Sequence, residues 1–189
     1  MTAPRPHRRL RPLAGFWRDR RGVSAVEFAL IAPVLIIMYC GMAELTQAMM
    51  AQRRLSNIAS SIGDLVSQSS QTGPLKTADI FTIGNTIMAP FSTTPLKMCV
   101  ASVSSDATGK DTVVWSKAST SMSTCPAAAA VLTDVPVGVL PASKTVILAR
   151  ASYVYTSPIQ LVMPTSLTFS RTYYLRPRKS DAVLWSPAS

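Results

Sequence analysis

The chain has 189 residues, a length that suits one modest domain with appendages. Its formal net charge is +10, but residues 1–21 alone carry +6 and the remaining residues only +4. A basic block followed at once by an apolar run is typical of membrane insertion, so we expect no nucleic-acid partner. We interpret residues 1–21, which are rich in Arg and Pro, as a disordered leader.

The single histidine of the chain, His7, lies in this leader. The rest of the chain therefore has no histidine for a Ser-His-Asp site, a Cys-His site or a histidine metal site. The acidic residues beyond the apolar run never fall at close helical spacing. We expect no enzymatic activity, no metal and no cofactor.

Residues 23–46 predict a transmembrane helix. As a helix they would span about 36 Å, enough for the roughly 30 Å hydrocarbon core of a bilayer. No charged residue occurs from Phe28 to Ala43. Because the arginines precede this run, we expect the N-terminus on the cytoplasmic side and the rest of the chain outside.

The helical pattern continues beyond the apolar run, with apolar residues alternating at spacings of three and four. These positions are Ala48, Ala51, Leu55, Ile58, Ile62 and Leu65. They predict one long helix over roughly residues 23–68, whose outer half is amphipathic. This half is expected to pack on the domain's own sheet and could also contact another subunit at a different height. Glu44, at the outer end of the apolar run, is expected to be solvated.

The rest of the chain predicts a short helix and several strands. The helix covers Lys76–Met88, with Thr77 as its cap and Pro90 as its end. Met98–Ser104 and Thr112–Lys117 predict a hairpin. Two further strands are predicted at Thr145–Tyr155 and Leu167–Arg176. Residues 118–143 read mostly as loop, and the basic side chains of the tail are expected to be solvated, namely Arg171, Arg176, Arg178 and Lys179.

The predicted fold class is therefore α+β, a long N-terminal helix followed by a small antiparallel sheet. Cys99 and Cys125 lie in the part expected to be exported, 26 residues apart in the sequence. Because an oxidising compartment favours pairing, we expect a disulfide between them. Cys40 lies inside the apolar run.

The sharpest motif is Gly22 followed five residues later by Glu27, at the start of the apolar helix. A carboxylate there is costly in a membrane, which makes it a functional hypothesis. A cut after Gly22, which has no side chain to obstruct a protease, would create an α-ammonium group on Val23. Glu27 would then lie one helical turn away and could neutralise that ammonium, or the ammonium of a neighbouring subunit.

These features resemble the class III, or type IV prepilin, signal. The run Arg21–Pro33 is similar to the start of the TadE/TadG-like proteins of tight-adherence (Flp) pilus systems. The similarity continues into residues 53–55 and 64–66, and more weakly into later segments.

The resemblance implies a pilin-like fold and a pseudopilin or pilus assembly protein, which supports pilus biogenesis and surface adhesion. It implies a single-pass protein of the bacterial inner membrane, with a leader at 1–22, a transmembrane helix at 23–46 and a periplasmic α+β domain at 47–189. The implied partners are a prepilin peptidase that cuts between Gly22 and Val23, other pilus or pseudopilin subunits, the inner-membrane assembly platform and membrane lipid.

Two alternatives stay open. Relatives resembling TadG need not be cut, so the chain could keep its anchor as a periplasmic binding or adhesion protein. A conventional signal peptide could instead be removed near Ala43 and leave a soluble periplasmic protein. The helical pattern that continues through Glu44 argues against this second alternative.

Overall fold

The computed structural model describes residues 22–120 and 122–187. The predicted disorder of the leader lies outside the described residues. In chain order the elements are α1 (Val23–Ser67), β1 (Gln71–Thr72), α2 (Pro74–Met88), β2 (Leu96–Ser105), β3 (Asp111–Ala118), β4 (Val131–Leu132), β5 (Thr145–Tyr155), β6 (Leu167–Leu175) and β7 (Leu184–Trp185). This is the predicted α+β architecture, a long N-terminal helix followed by an antiparallel sheet.

Helix α1 runs without interruption through Pro33 for 45 residues, about 67 Å along its axis. Its inner half, from Val23 to Ala43, has no buried side chain, and the first buried residue is Glu44. From there the predicted stripe packs inward, with Ala48, Ala51, Leu55, Ile58 and Ile62 all buried. The spacing of three and four therefore identified the packed face correctly, because it keeps these side chains on one side of the helix.

The main sheet has the strand order β4-β3-β2-β5-β6, and every neighbouring pair is antiparallel. Side chains that alternate along β2 and β5 serve two cores. Met98, Val100 and Ala149 face the core shared with α1 and α2, whereas Ala101 and Leu148 belong to a second cluster. The core shared with α1 and α2 thus lies between the outer half of the long helix and one face of the sheet.

The segment between β3 and β5 contributes to the second cluster through Ala130, Leu132 and Leu140. Arg150 of β5 donates hydrogen bonds to the carbonyl oxygen of Thr124 and to the carboxylate of Asp134, the latter at 2.8 Å. Apart from the two-residue strand β4, the described residues of this segment form no helix or strand, as expected.

Helix α2 begins two residues earlier than expected, and Thr77 does not cap it. Gly73 occupies the N-cap position and Pro74 the first turn, where the fixed φ of proline suits a helix. The hydroxyl of the buried Thr77 donates instead to the carbonyl oxygens of Gly73 and Pro74, at 2.8 and 3.1 Å. The helix ends at Met88, shortly before Pro90.

The C-terminal tail, residues 176–187, returns to the outer end of α1. Strand β7 pairs in parallel with β1, which directly follows α1. Arg178 forms an ion pair with Asp64 at 2.6 Å, and its backbone N–H donates to the carbonyl oxygen of Ser67 at 2.9 Å. The side chain of Arg178 is 64% exposed, as expected for a solvated tail, but its ion pair was not predicted from the sequence. Asp64 lies 114 residues earlier in the sequence, so no local pattern indicated the pair.

Candidate functional site

The N-terminal end of α1 carries the predicted cleavage motif. The helix begins at Val23, directly after Gly22, whose φ of −86° and ψ of −13° suit any residue. A Cβ added to Gly22 would meet no described atom within 4 Å. Glu27 is exposed on the first turns of the helix. Among the described residues it has no hydrogen-bond or ion-pair partner.

The inner half of α1, from Val23 to Ala43, consists of 21 residues, about 32 Å of helix. Its large apolar side chains lie on all sides of the helix and are exposed. A helix that is apolar all round is typical of a membrane span. By length and composition α1 is the one candidate span within the described residues, compatible with a single-pass membrane protein.

At the outer end of this exposed half, the side chain of Glu44 is 0% exposed. Its Oε1 accepts a hydrogen bond from the backbone N–H of Leu161 at 2.7 Å. Its Oε2 accepts from the N–H groups of Val162 and Met163, at 3.1 and 2.7 Å. Three donors thus satisfy a buried carboxylate, the arrangement that such a group needs to avoid a large desolvation penalty.

We call residues 157–164, between β5 and β6, the Glu44 loop. Its first residue, Ser157, is buried, and the hydroxyl oxygen accepts from the N–H groups of Ile159 and Gln160 at 3.3 and 3.4 Å. The loop also packs directly on α1. A Cβ added to Gly41 would lie 3.1 Å from Cγ2 of Val162.

The expectation that Glu44 is solvated is therefore wrong. Its partners lie 117 to 119 residues further along the chain, and backbone donors carry no sequence signature. The available signal was the position of Glu44 itself. It stands where the apolar run meets the amphipathic stripe, on the same face as Ala48 and Ala51.

Cys99 and Cys125 lie next to each other and do not belong to α1. Their Sγ atoms are 1.96 Å apart and their Cα atoms 5.7 Å apart. Cys99 is buried on β2, and Cys125 belongs to the loop segment that follows β3. Cys40 is free and half-buried in α1.

The predicted site residues thus occupy separate places rather than one pocket. Gly22, Val23 and Glu27 share one end of α1. Glu44 lies 17 residues beyond Glu27, about 26 Å along the helix. Within the described ranges, no three His, Cys, Asp or Glu side chains lie close enough together to hold a metal ion.

These observations define a class of protein with one candidate membrane-spanning helix whose outer half builds the core of an α+β domain. Residues 22–63 match the family model described as TadE-like protein. The match starts at Gly22, covers the exposed half of α1 and continues through most of its packed half. It confirms the resemblance indicated by the N-terminal motif and supports a Tad pilus-associated protein. No curated protein and no solved structure gave a match.

Proposed function

We propose that the protein is a membrane-anchored pseudopilin or assembly component of a tight-adherence (Flp) type IV pilus. It lies in the bacterial inner membrane, with residues 1–22 in the cytoplasm and the α+β domain in the periplasm. It supports pilus biogenesis and surface adhesion together with other pilus subunits, the assembly platform and membrane lipid. The observation that carries this proposal is the exposed apolar half of α1, which starts directly after Gly22 within the TadE-like match.

A prepilin peptidase cuts between Gly22 and Val23. The fold itself does not require glycine at position 22, because its φ is ordinary and a Cβ there would meet no described atom within 4 Å. Glycine at this position would instead serve a protein that must approach this backbone closely. The cut removes the basic leader and leaves Val23 as the first residue of a ready-made helix.

Glu27 pairs with the new α-ammonium group after the cut. An ammonium at a helix N-terminus is unfavourable beside the positive end of the helix dipole, and a carboxylate there is favourable. Glu27 is four residues from Val23, about 6 Å along the axis. Because Glu27 is exposed, it can serve a neighbouring subunit as readily as its own.

Two contacts argue against a conventional signal peptide that ends near Ala43. Gly41 packs on Val162, and Glu44 binds three N–H groups of the same loop. A cut there would separate Gly41 from its contact and put Glu44 at a frayed chain end. The domain therefore favours an uncut α1 beyond residue 23.

In the periplasm, we propose, Cys99 and Cys125 form a disulfide.

The test of cleavage is the N-terminus of the protein extracted from the membranes of its own host. We expect it to begin at Val23. Gly22→Ala should block the cut while leaving the fold unchanged, since space for the added methyl group is available. Intact mass and N-terminal sequencing measure both outcomes.

The matched control is Gly15→Ala, which changes the other glycine of the leader. It should leave the start at Val23. A mature chain that begins at Glu44 would refute the pseudopilin assignment in favour of a signal peptide. A chain that retains the leader in wild-type cells would instead support an uncut anchor.

Glu27→Gln, examined in the same cells, separates cleavage from assembly. This variant should be inserted and cut normally, because the amide keeps the size of the side chain, but it should fail to support pili. Asp79→Asn, at an exposed position of α2, is the control and should be neutral. Normal piliation with Glu27→Gln would eliminate charge pairing as the role of this residue.

A further inference from the structure

The Glu44 loop lies in a stretch without charge. No Asp, Glu, Lys, Arg or His occurs from residue 151 to residue 170. Three large apolar side chains of the loop are also exposed: Ile159 at 43%, Leu161 at 52% and Val162 at 52%. Exposed apolar side chains grouped on one short loop indicate an interaction surface.

The backbone of this loop has no free N–H group from residue 158 to residue 164. Pro158 and Pro164 have none to donate. Ser157 accepts the next two, those of Ile159 and Gln160. The carboxylate of Glu44 accepts the following three, from residues 161 to 163.

This accounting matters because lipid offers no acceptor to an unsatisfied backbone N–H group. A solvent-exposed loop has no need for an internal acceptor for each of these N–H groups, since water would supply the acceptors. In the Glu44 loop the donors point inward to Glu44 and Ser157, and apolar side chains are left on the outside. The loop is therefore suited to a medium that offers few hydrogen-bond acceptors.

The position of the loop identifies that medium. It packs on α1 at Gly41 and Glu44, where the exposed apolar half of the helix ends. Counted from Val23, this level is about 30 Å along the helix, the thickness of the hydrocarbon core. A bilayer that surrounds the exposed half of α1 would thus have its outer boundary at the loop.

We propose that the Glu44 loop is a second membrane contact, which inserts Ile159, Leu161 and Val162 into the boundary between headgroups and acyl chains of the outer leaflet. This inference rests on the proposed membrane anchoring of α1. It adds that the domain is held against the bilayer at two points, the helix and the loop. Glu44 has the role of satisfying the loop backbone, so that it can enter this layer.

The experiment places a tryptophan on the loop of the full-length protein in phosphatidylcholine nanodiscs, one copy per disc. Leu161→Trp is compared in lipids brominated near the headgroup or near the bilayer centre, with the emission of the unsubstituted protein subtracted. We expect strong quenching by the shallow bromines and weaker quenching by the deep ones. Ile159→Trp provides a second position and should give the same pattern.

Two control variants define the scale. Val34→Trp, near the middle of the exposed half of α1, should be quenched most by the deep bromines. Val137→Trp lies on a fully exposed side chain of the segment between β4 and β5, and should be quenched by neither lipid.

Quenching of both loop variants at the low level of Val137→Trp, with Val34→Trp quenched, would overturn the loop contact and leave the anchor standing. Absence of quenching at Val34→Trp would overturn the anchor and the loop contact together. If the loop tryptophans escape quenching only when two copies share a disc, the loop contacts a second copy of the chain and the lipid assignment is wrong.

Discussion

Glu44 is a charged residue at a buried core position, a combination that is uncommon in proteins. Its side chain is fully buried, yet each oxygen of its carboxylate has a backbone donor. Removing one partner of a buried charged group is costly because the other partner loses its only compensation. The three N–H groups of the Glu44 loop therefore depend on this carboxylate as much as it depends on them.

We predict that Glu44→Ala releases the Glu44 loop. Amide exchange over residues 161–163 should accelerate by at least about tenfold, since their acceptor is gone. Exchange in the centre of β5 should change little. Hydrogen-exchange mass spectrometry on the full-length protein in nanodiscs measures both segments.

Asp79→Asn removes an exposed carboxylate from α2 and should leave exchange in the loop at the wild-type rate. Unchanged protection of residues 161–163 in Glu44→Ala would mean that the loop is held by its apolar contacts with α1 alone.

At the scale of elements, α1 is a single helix in two environments. Its apolar inner half and its amphipathic outer half were both predictable, because each has its own periodicity. Strands β5 and β6 could be predicted equally well from the sequence, since β-branched and aromatic residues dominate them. The pair β1 and β7 was not predicted. Two-residue strands are too short to show any periodicity, and their partner lies at the other end of the chain.

The close approach of α1 to the sheet depends on Gly63. A Cβ there would lie 2.8 Å from Cβ of Ala149 and 2.5 Å from Cδ1 of Leu175. Because Ala149 is fixed to a central strand, the helix would have to move outward.

We therefore predict that Gly63→Ala destabilises the domain by about 1–2 kcal/mol, the cost of overpacking less the gain in helix propensity. Gly84→Ala in α2 is the matched comparison. Its added Cβ meets the Sδ atom of Met98, the end of a flexible side chain that can shift. Urea unfolding of both variants should show the larger loss for Gly63→Ala. Equal stability of Gly63→Ala and the wild type would show that the helix has room to move.

At the scale of the whole molecule, the segment between β3 and β5 has little regular secondary structure. Contacts with other parts of the chain fix its position. Cys125 lies at bonding distance from Cys99, and Arg150 binds both Thr124 and Asp134. The cysteine pair could be predicted from the sequence, because the expected oxidising compartment favours a disulfide. The role of Arg150 could not be predicted, because its partners lie on irregular backbone without a motif.

We predict that Cys125→Ser lowers the stability of the oxidised protein by about 3.5 kcal/mol, the entropy expected for a loop of this length. The melting temperature should fall by roughly 10 °C, as measured by near-UV circular dichroism in nanodiscs. Cys40→Ser changes a cysteine that is free and should have little effect. If reduction of the wild-type protein leaves its melting temperature unchanged, the bridge does not form in solution.

The return of the C-terminal tail to α1 has a consequence for the order in which the domain is completed. Strand β1 follows the long helix, but its partner β7 is made more than 100 residues later. Trp115 likewise waits for the tail, whose Val183 carbonyl oxygen accepts its indole N–H at 2.7 Å. Since synthesis proceeds from the N-terminus, these contacts can form only after residues 183–185 have left the ribosome. A chain truncated before residue 183 would lack these contacts and leave one end of the core uncovered, so the domain can be completed only after residues 183–185 have been added.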